Sequence, residues 1–190
     1  MAKPTLVFLL CCFGIFVMSS QEKDSTMVAL EKILANASND SLKVEAYIEM
    51  GDYQLRRDLN NVELYLNKAL KVIQFSKNSY DYNLQNAKIA QQFGVIQRKR
   101  GNYNKALQKY YQALPVFETY KDSTGLASSY HNIGVVQTYL KGYSASKKSF
   151  RKAIAINTNL GRTKSLGKNY NSLSITFSKL KQRDSALYFY

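Results

Sequence analysis

Residues 93–114 read FGVIQRKRGNYNKALQKYYQAL, and residues 133–154 read IGVVQTYLKGYSASKKSFRKAI. Set one above the other, Phe93-Gly94, Tyr103, Ala106, Tyr110 and Ala113-Leu114 fall on Ile133-Gly134, Tyr143, Ser146, Phe150 and Ala153-Ile154, each displaced by 40 positions. A fixed period of this size marks a repeat architecture. The same step reaches Leu173-Ser174, Arg183, Ala186 and Tyr190, and it pairs Tyr130 with Tyr170 and Leu126 with Leu166. A looser copy reads Tyr47, Met50-Gly51, Leu59, Val62, Leu66, Ala69-Leu70. Within a copy, Tyr103, Ala106, Tyr110 and Ala113 stand at steps of three and four, as do Tyr130, Ile133, Gly134 and Gln137, which is helical spacing. Each copy therefore reads as a helical hairpin. Gly134 on the first helix and Ala106 or Ala153 on the second let two backbones approach, with aromatic rings expected in the space beside them.

The breaks carry turn chemistry. Gly101-Asn102 and Lys141-Gly142 end the first helix of their hairpins, with Asn102 expected to cap the next, and Asp122-Ser123 and Gly161 to Thr163 join hairpin to hairpin. Asn60 with Glu63 resembles a capping box for the helix reaching Phe75. Pro115, inside a helical stretch, is expected to kink the helix or stop it early.

Leu/Ile-Gly, then Gly-x-Tyr-x-x-Ala, then Tyr/Phe-x-x-Ala-Leu/Ile resembles the signature of the tetratricopeptide repeat (TPR) family, from about Tyr47 to the end. The family's commonest period is 34; the 40 seen here resembles its longer variety. Ala90 departs from the family's large aromatic, and Lys141-Gly142-Tyr143 moves the turn glycine by one. The resemblance implies an all-α, right-handed superhelical solenoid of antiparallel hairpins: a lead-in helix over residues 21–40, a divergent repeat over 41–79, full repeats over 80–121 and 122–161, and a partial one over 162–190. The order of parts resembles the N-terminal extracytoplasmic region of TPR-containing sensor histidine kinases and regulators of Bacteroidetes-type bacteria. On that reading the chain, which stops at the second-helix position Tyr190, is one end of a longer signalling protein, and its partial last hairpin is expected to promote self-association.

Composition supports a helical reading: 45% of residues are hydrophobic, and only two prolines and nine glycines interrupt 190 residues. In residues 1–20, Lys3 is the sole charge and Leu6 to Met18 is apolar, followed by Ser19-Ser20 and polar Gln21-Glu22-Lys23-Asp24, the layout of a cleaved secretory signal peptide. Both cysteines, Cys11 and Cys12, lie within it, so the mature chain is expected to hold neither disulfide nor thiolate metal site. A secreted or periplasmic location follows as an expectation. The net charge of +14 is uneven: residues 21–97 hold nine Lys/Arg against ten Asp/Glu, and residues 98–190 seventeen against three. That excess points to an acidic partner or surface.

Signs of catalysis are thin. His131 is the single histidine, the Ser-x-x-Lys spacings at Ser144, Ser165 and Ser178 are what a chain rich in both gives by chance, and no Gly-Lys-Ser/Thr run offers a phosphate cradle. No enzyme activity, cofactor or metal is expected. Tyr103, Tyr110, Tyr130, Tyr143 and Tyr170 occupy repeat positions and read as core, whereas Tyr111 and Tyr139 are uncommitted.

The TPR resemblance implies a concave binding face on the first helices, here Lys88, Gln91, Gln92 and Val95, then Ser128, His131, Asn132 and Val135, then Lys168, Asn171, Ser172 and Ile175. Gln91 and Val95 stand where the family's chaperone-tail clamp wants Lys and Asn, so a different protein or peptide is the expected partner. Lys147, Lys148, Arg151 and Lys152 form a basic face on a second helix. Given an export signal, anionic envelope lipid or polysaccharide fits that face better than nucleic acid.

Overall fold

The computed structural model describes residues 25–77 and 81–180. The expected signal peptide with both cysteines, and the last-hairpin positions Arg183, Ala186 and Tyr190, lie outside the described residues. These comprise eight helices: α1 (25–35), α2 (Asp40–Gln54), α3 (Leu59–Phe75), α4 (Asn83–Lys99), α5 (Tyr103–Thr119), α6 (Ser123–Tyr139), α7 (Tyr143–Asn159) and α8 (Thr163–Lys179). The chain divides after Asn78 into two units.

In the first unit α2 pairs with α3, burying Val44, Ile48, Met50 and Gly51 with Val62, Leu66 and Ala69. Asn39 opens α2 by accepting from the Leu42 amide. The cap of α3 is Asp58, two residues before the capping box read from the sequence: its carboxylate accepts from the amides of Asn60 and Asn61. Asp beats Asn60 here because the backbone is already extended at 58, the conformation an N-cap needs. Asp40 ties the two ends together, accepting from Lys43 and from the Ser76 hydroxyl, and these bonds hold its carboxyl below the usual carboxylate range.

The second unit is more regular than the sequence pattern alone requires. Each of its five described helices has 17 residues, and three residues separate one from the next. The 40-residue repeat is thus two nearly equivalent 20-residue steps. Each step ends in one Schellman motif: Asn102, Asp122, Gly142 and Arg162 donate their amides to the carbonyls of Gln97, Phe117, Gln137 and Asn157 at 2.8–3.0 Å. The residue before each, at 101, 121, 141 and 161, has positive φ. Glycine holds that seat at 101 and 161; Lys121 and Lys141 hold it at φ 54° and 61°. Asn102 stands at the N-cap of α5, but its side chain makes no cap bond and instead donates to Gln97 Oε1, whereas Asp122 in the equivalent turn accepts from the Gly125 amide. Pro115 neither stops α5 nor shortens it. The helix runs on to Thr119, whose hydroxyl donates to the Pro115 carbonyl, and the carbonyl that loses its donor belongs to exposed Tyr111, where water can replace it.

Within each hairpin, α4 with α5 and α6 with α7, a ring lies directly on a bare glycine. A Cβ on Gly94 would stand 2.5–3.0 Å from three ring atoms of Tyr110, and one on Gly134 would stand 2.8–3.0 Å from three of Phe150. Three such similar distances mean the face of the ring, not its edge, covers the glycine. The aromatic therefore sits on the small residue rather than beside it, and both rings are sealed from solvent at 0% and 1% exposure. Phe117 repeats the device between hairpins, on Gly125. Around the rings close Ala106, Leu114, Ile133 and Val136 in one cluster, and Leu173 and Phe177 in another.

Two stability outcomes follow. Gly134→Ala should lower unfolding free energy by about 1–3 kcal/mol, the usual cost of overpacking, and Gly134→Ala with Phe150→Leu should recover most of it in urea melts. Lys121→Gly should raise stability by about 1 kcal/mol by relieving a left-handed residue, whereas Gly161→Ala, with open space around it, should lower stability by a similar amount through backbone strain alone.

Candidate binding groove on the first helices

The helices α4, α6 and α8 are first helices of successive hairpins, and α4 touches α6 as α6 touches α8. The twelve residues expected on this face divide into three kinds.

Some serve the solenoid itself. Gln92 is 4% exposed, too buried to meet a partner, which corrects its place in the expected groove. Val95 packs against the Tyr110 cluster. Gln91 donates from Nε2 to the Gly125 carbonyl at 3.0 Å and to Ser129 Oγ at 2.7 Å. One repeat on, His131 makes the same bond: its Nδ1–H donates to Asn169 Oδ1 at 2.7 Å, the amide oxygen being able only to accept. Both pairs run from a first helix to the next first helix, 38 residues on. Gln91 and His131 thus stitch neighbouring repeats. Burial pushes the His131 imidazole below its ordinary value of 6.5; the bond to Asn169 opposes this, and the charges of Arg98 and Lys168 add to it. The ring also leans on Phe150 at 5.6 Å. Tyr110, deeper still, has its phenol pushed up to about 12 by burial, with Arg98 opposing.

Lys88 and Asn132 are half-buried, and Ser128, Lys168 and Asn171 are exposed. These five are open to a partner.

The third kind meets at a cavity. Val135, Ser172 and Ile175 line a space of about 420 Å³ between α6 and α8, together with Thr138, Tyr139, Lys141, Tyr143, Phe150 and Lys179. Phe150, 1% exposed, stands behind its wall, and the accessible apolar lining is Val135, Tyr139 and Ile175. Behind it three hydroxyls join three helices: Thr138 lies 2.7 Å from Ser146 and 3.1 Å from Thr176, and Ser146 donates to the Gly134 carbonyl at 2.8 Å. One repeat earlier the same seats are Arg98, Ala106 and Val136. That change of residue type at a shared register position is the sequence signal that could have found the cavity. Tyr139 is 58% exposed yet held flat on Tyr103, with centroids 5.0 Å apart and planes 9° apart.

The basic face on α7 is partly committed. The Lys147 ammonium lies 5.3 Å from the Phe177 ring centre and that of Lys152 4.7 Å from the Tyr130 ring, leaving Lys148 and Arg151 as exposed neighbours one turn apart. Among the described residues no group of three His, Cys, Asp or Glu is placed to hold a metal ion, and no helix is long and apolar enough to cross a membrane.

His131 gives a pH dependence with a definite sign. Its folded value is lowered, so its contribution to stability is present above the unfolded value near 6.5 and is lost as pH falls below it toward the folded value. His131→Gln, the residue the preceding repeat uses, should flatten the stability profile between pH 6.5 and the acid limb of the native fold in melts followed by circular dichroism.

No curated protein sequence matches the chain. Solved structures do, at the level of fold. Aspartyl phosphate phosphatase F from Bacillus subtilis superposes with a TM-score of 0.70 at 18% identity over 85% of this chain and 41% of its own. Apo RapI gives 0.70 at 19% identity over 93% and 64%, and BtubC from P. vanneervenii gives 0.68 at 16% over 90% and 70%. The chain thus spans less than two thirds of the first and of RapI. Residues 83–159, the two hairpins α4–α5 and α6–α7, match the tetratricopeptide repeat family model, and the chain has the all-α helical-repeat fold that its sequence period implies.

Proposed function

We propose that the chain is a non-catalytic scaffold or sensor module that binds a protein or peptide segment on the face formed by α4, α6 and α8. The observation carrying this reading is the cavity between α6 and α8, whose accessible lining is apolar at Val135, Tyr139 and Ile175 and polar at Ser172, Lys141 and Lys179. Sites of this volume with an apolar lining and few polar groups suit a side chain inserted from a partner. The fold supports the same reading, since stacked hairpins give a rigid, extended face. His131 supports it from the other side: its Nδ1 is engaged by Asn169, which suits a structural residue better than a general base. Export, resting on residues 1–20, and membership of a larger signalling protein belong to this proposal.

The alternative, an electrostatic binder of anionic envelope material, rests on Lys148 and Arg151 and the basic imbalance of the second half. Both ligand classes can be offered to the full chain: random short peptides displayed on phage, and vesicles containing phosphatidylglycerol. Peptides should be selected at 0.5 M salt, lose at least about tenfold in affinity on Ile175→Arg and keep it on Lys148→Glu with Arg151→Glu. Binding confined to vesicles, abolished by salt and by the basic-face variant, would replace the first reading with the second.

A further inference from the structure

The cavity has a composition that selects its occupant. Among the described residues its two charged lining residues are both lysines, Lys141 in the α6–α7 turn and Lys179 at the end of α8, and none of the lining residues is a carboxylate. Beside them the accessible lining is aromatic and aliphatic, from Tyr139, Val135 and Ile175. Tyr139 has one face already stacked on Tyr103, so a partner group meeting its exposed side loses little rotamer freedom in doing so. Lys141 occupies the positive-φ seat that glycine fills at 101 and 161 and lysine also fills at 121, and of these four it is the one that lines the cavity.

We infer that the cavity takes an aromatic or large aliphatic side chain of an acidic peptide segment, with carboxylates flanking that residue held by Lys141 and Lys179. The inference rests on the peptide-binding reading above and adds the chemistry of the peptide. Apolar burial supplies the affinity and the two ammonium groups at the rim supply the selection. A basic segment is rejected by like charge, and a polar one leaves the apolar surface of Val135, Tyr139 and Ile175 without contact.

The test uses the peptides selected by the full chain. Sequences with a Phe, Tyr, Leu or Ile beside Asp or Glu are expected to dominate. For a synthetic fluorescein-labelled peptide of that consensus, exchange of its acids for amides should weaken binding by about tenfold at low salt, and exchange of its apolar residue for alanine by at least as much. Lys141→Glu with Lys179→Glu, two exposed changes whose fold is checked by circular dichroism, should turn the selection toward peptides with Lys or Arg beside the apolar residue. Selected peptides without acidic residues, or a selection unchanged by the double reversal, would overturn the inference while leaving peptide binding in place. Failure to select any peptide would overturn both. Phenylacetate or phenylpropionate binding as tightly as the consensus peptide would show that the site takes a free aromatic acid and would overturn the assignment to a peptide.

Discussion

The contact on which the second unit depends is an aromatic face lying on a helix that has no side chain at that point. A helix pair separates by the size of what lies between, and at Gly94 and Gly134 nothing lies between except the ring itself. The ring is then enclosed by both backbones, which is why Tyr110 and Phe150 are the largest sealed side chains of their hairpins. Close approach of α6 to α7 also brings Ser146 within reach of the Gly134 carbonyl and of Thr138, so the hydroxyl cluster follows from the same contact. Phe150, the ring on Gly134, also stands behind the wall of the cavity, so the packing of the hairpin positions the site.

A second constraint sets the repetition. Helices of 17 residues closed by identical three-residue turns return the chain to an equivalent position every 20 residues, so the same bond recurs wherever compatible residues recur. Gln91 to Ser129 and His131 to Asn169 are two chemical versions of one stitch. Because the stitch tolerates an amide or an imidazole, this face can change its titration behaviour without changing its geometry.

Much of this was legible in residue order. The 40-residue step located the hairpins and marked their small and aromatic positions, with the rings expected beside the small residues and not on them. What escaped was local or three-dimensional. Pro115 reads as a helix stop because the rule concerns a lost hydrogen bond, and exposure of Tyr111 at the acceptor decides the cost. Asn60 and Asn102 read as caps because residue type is visible and its surroundings are not: an extended Asp58 took one role, and the Asn102 side chain turned to Gln97 instead. Gln92 reads as a groove residue since polar side chains on first helices usually face out, yet its register turns it inward. The cavity was hidden because Tyr139, Lys141 and Lys179 fall at positions the repeat signature does not mark, and they meet only when α6, the turn after it and α8 are assembled.

The central claim is that the faces of Tyr110 and Phe150 cover Gly94 and Gly134. Proton chemical shifts of the glycine Hα atoms in solution read this contact directly, since a proton over the face of an aromatic ring is moved upfield by the ring current. One Hα each of Gly94 and Gly134 is expected well upfield of its random-coil position, with the Gly134 displacement abolished in Phe150→Leu and the Gly94 displacement unchanged there. Hα shifts at both glycines near random-coil or ordinary helical values in the unmodified chain would contradict the account.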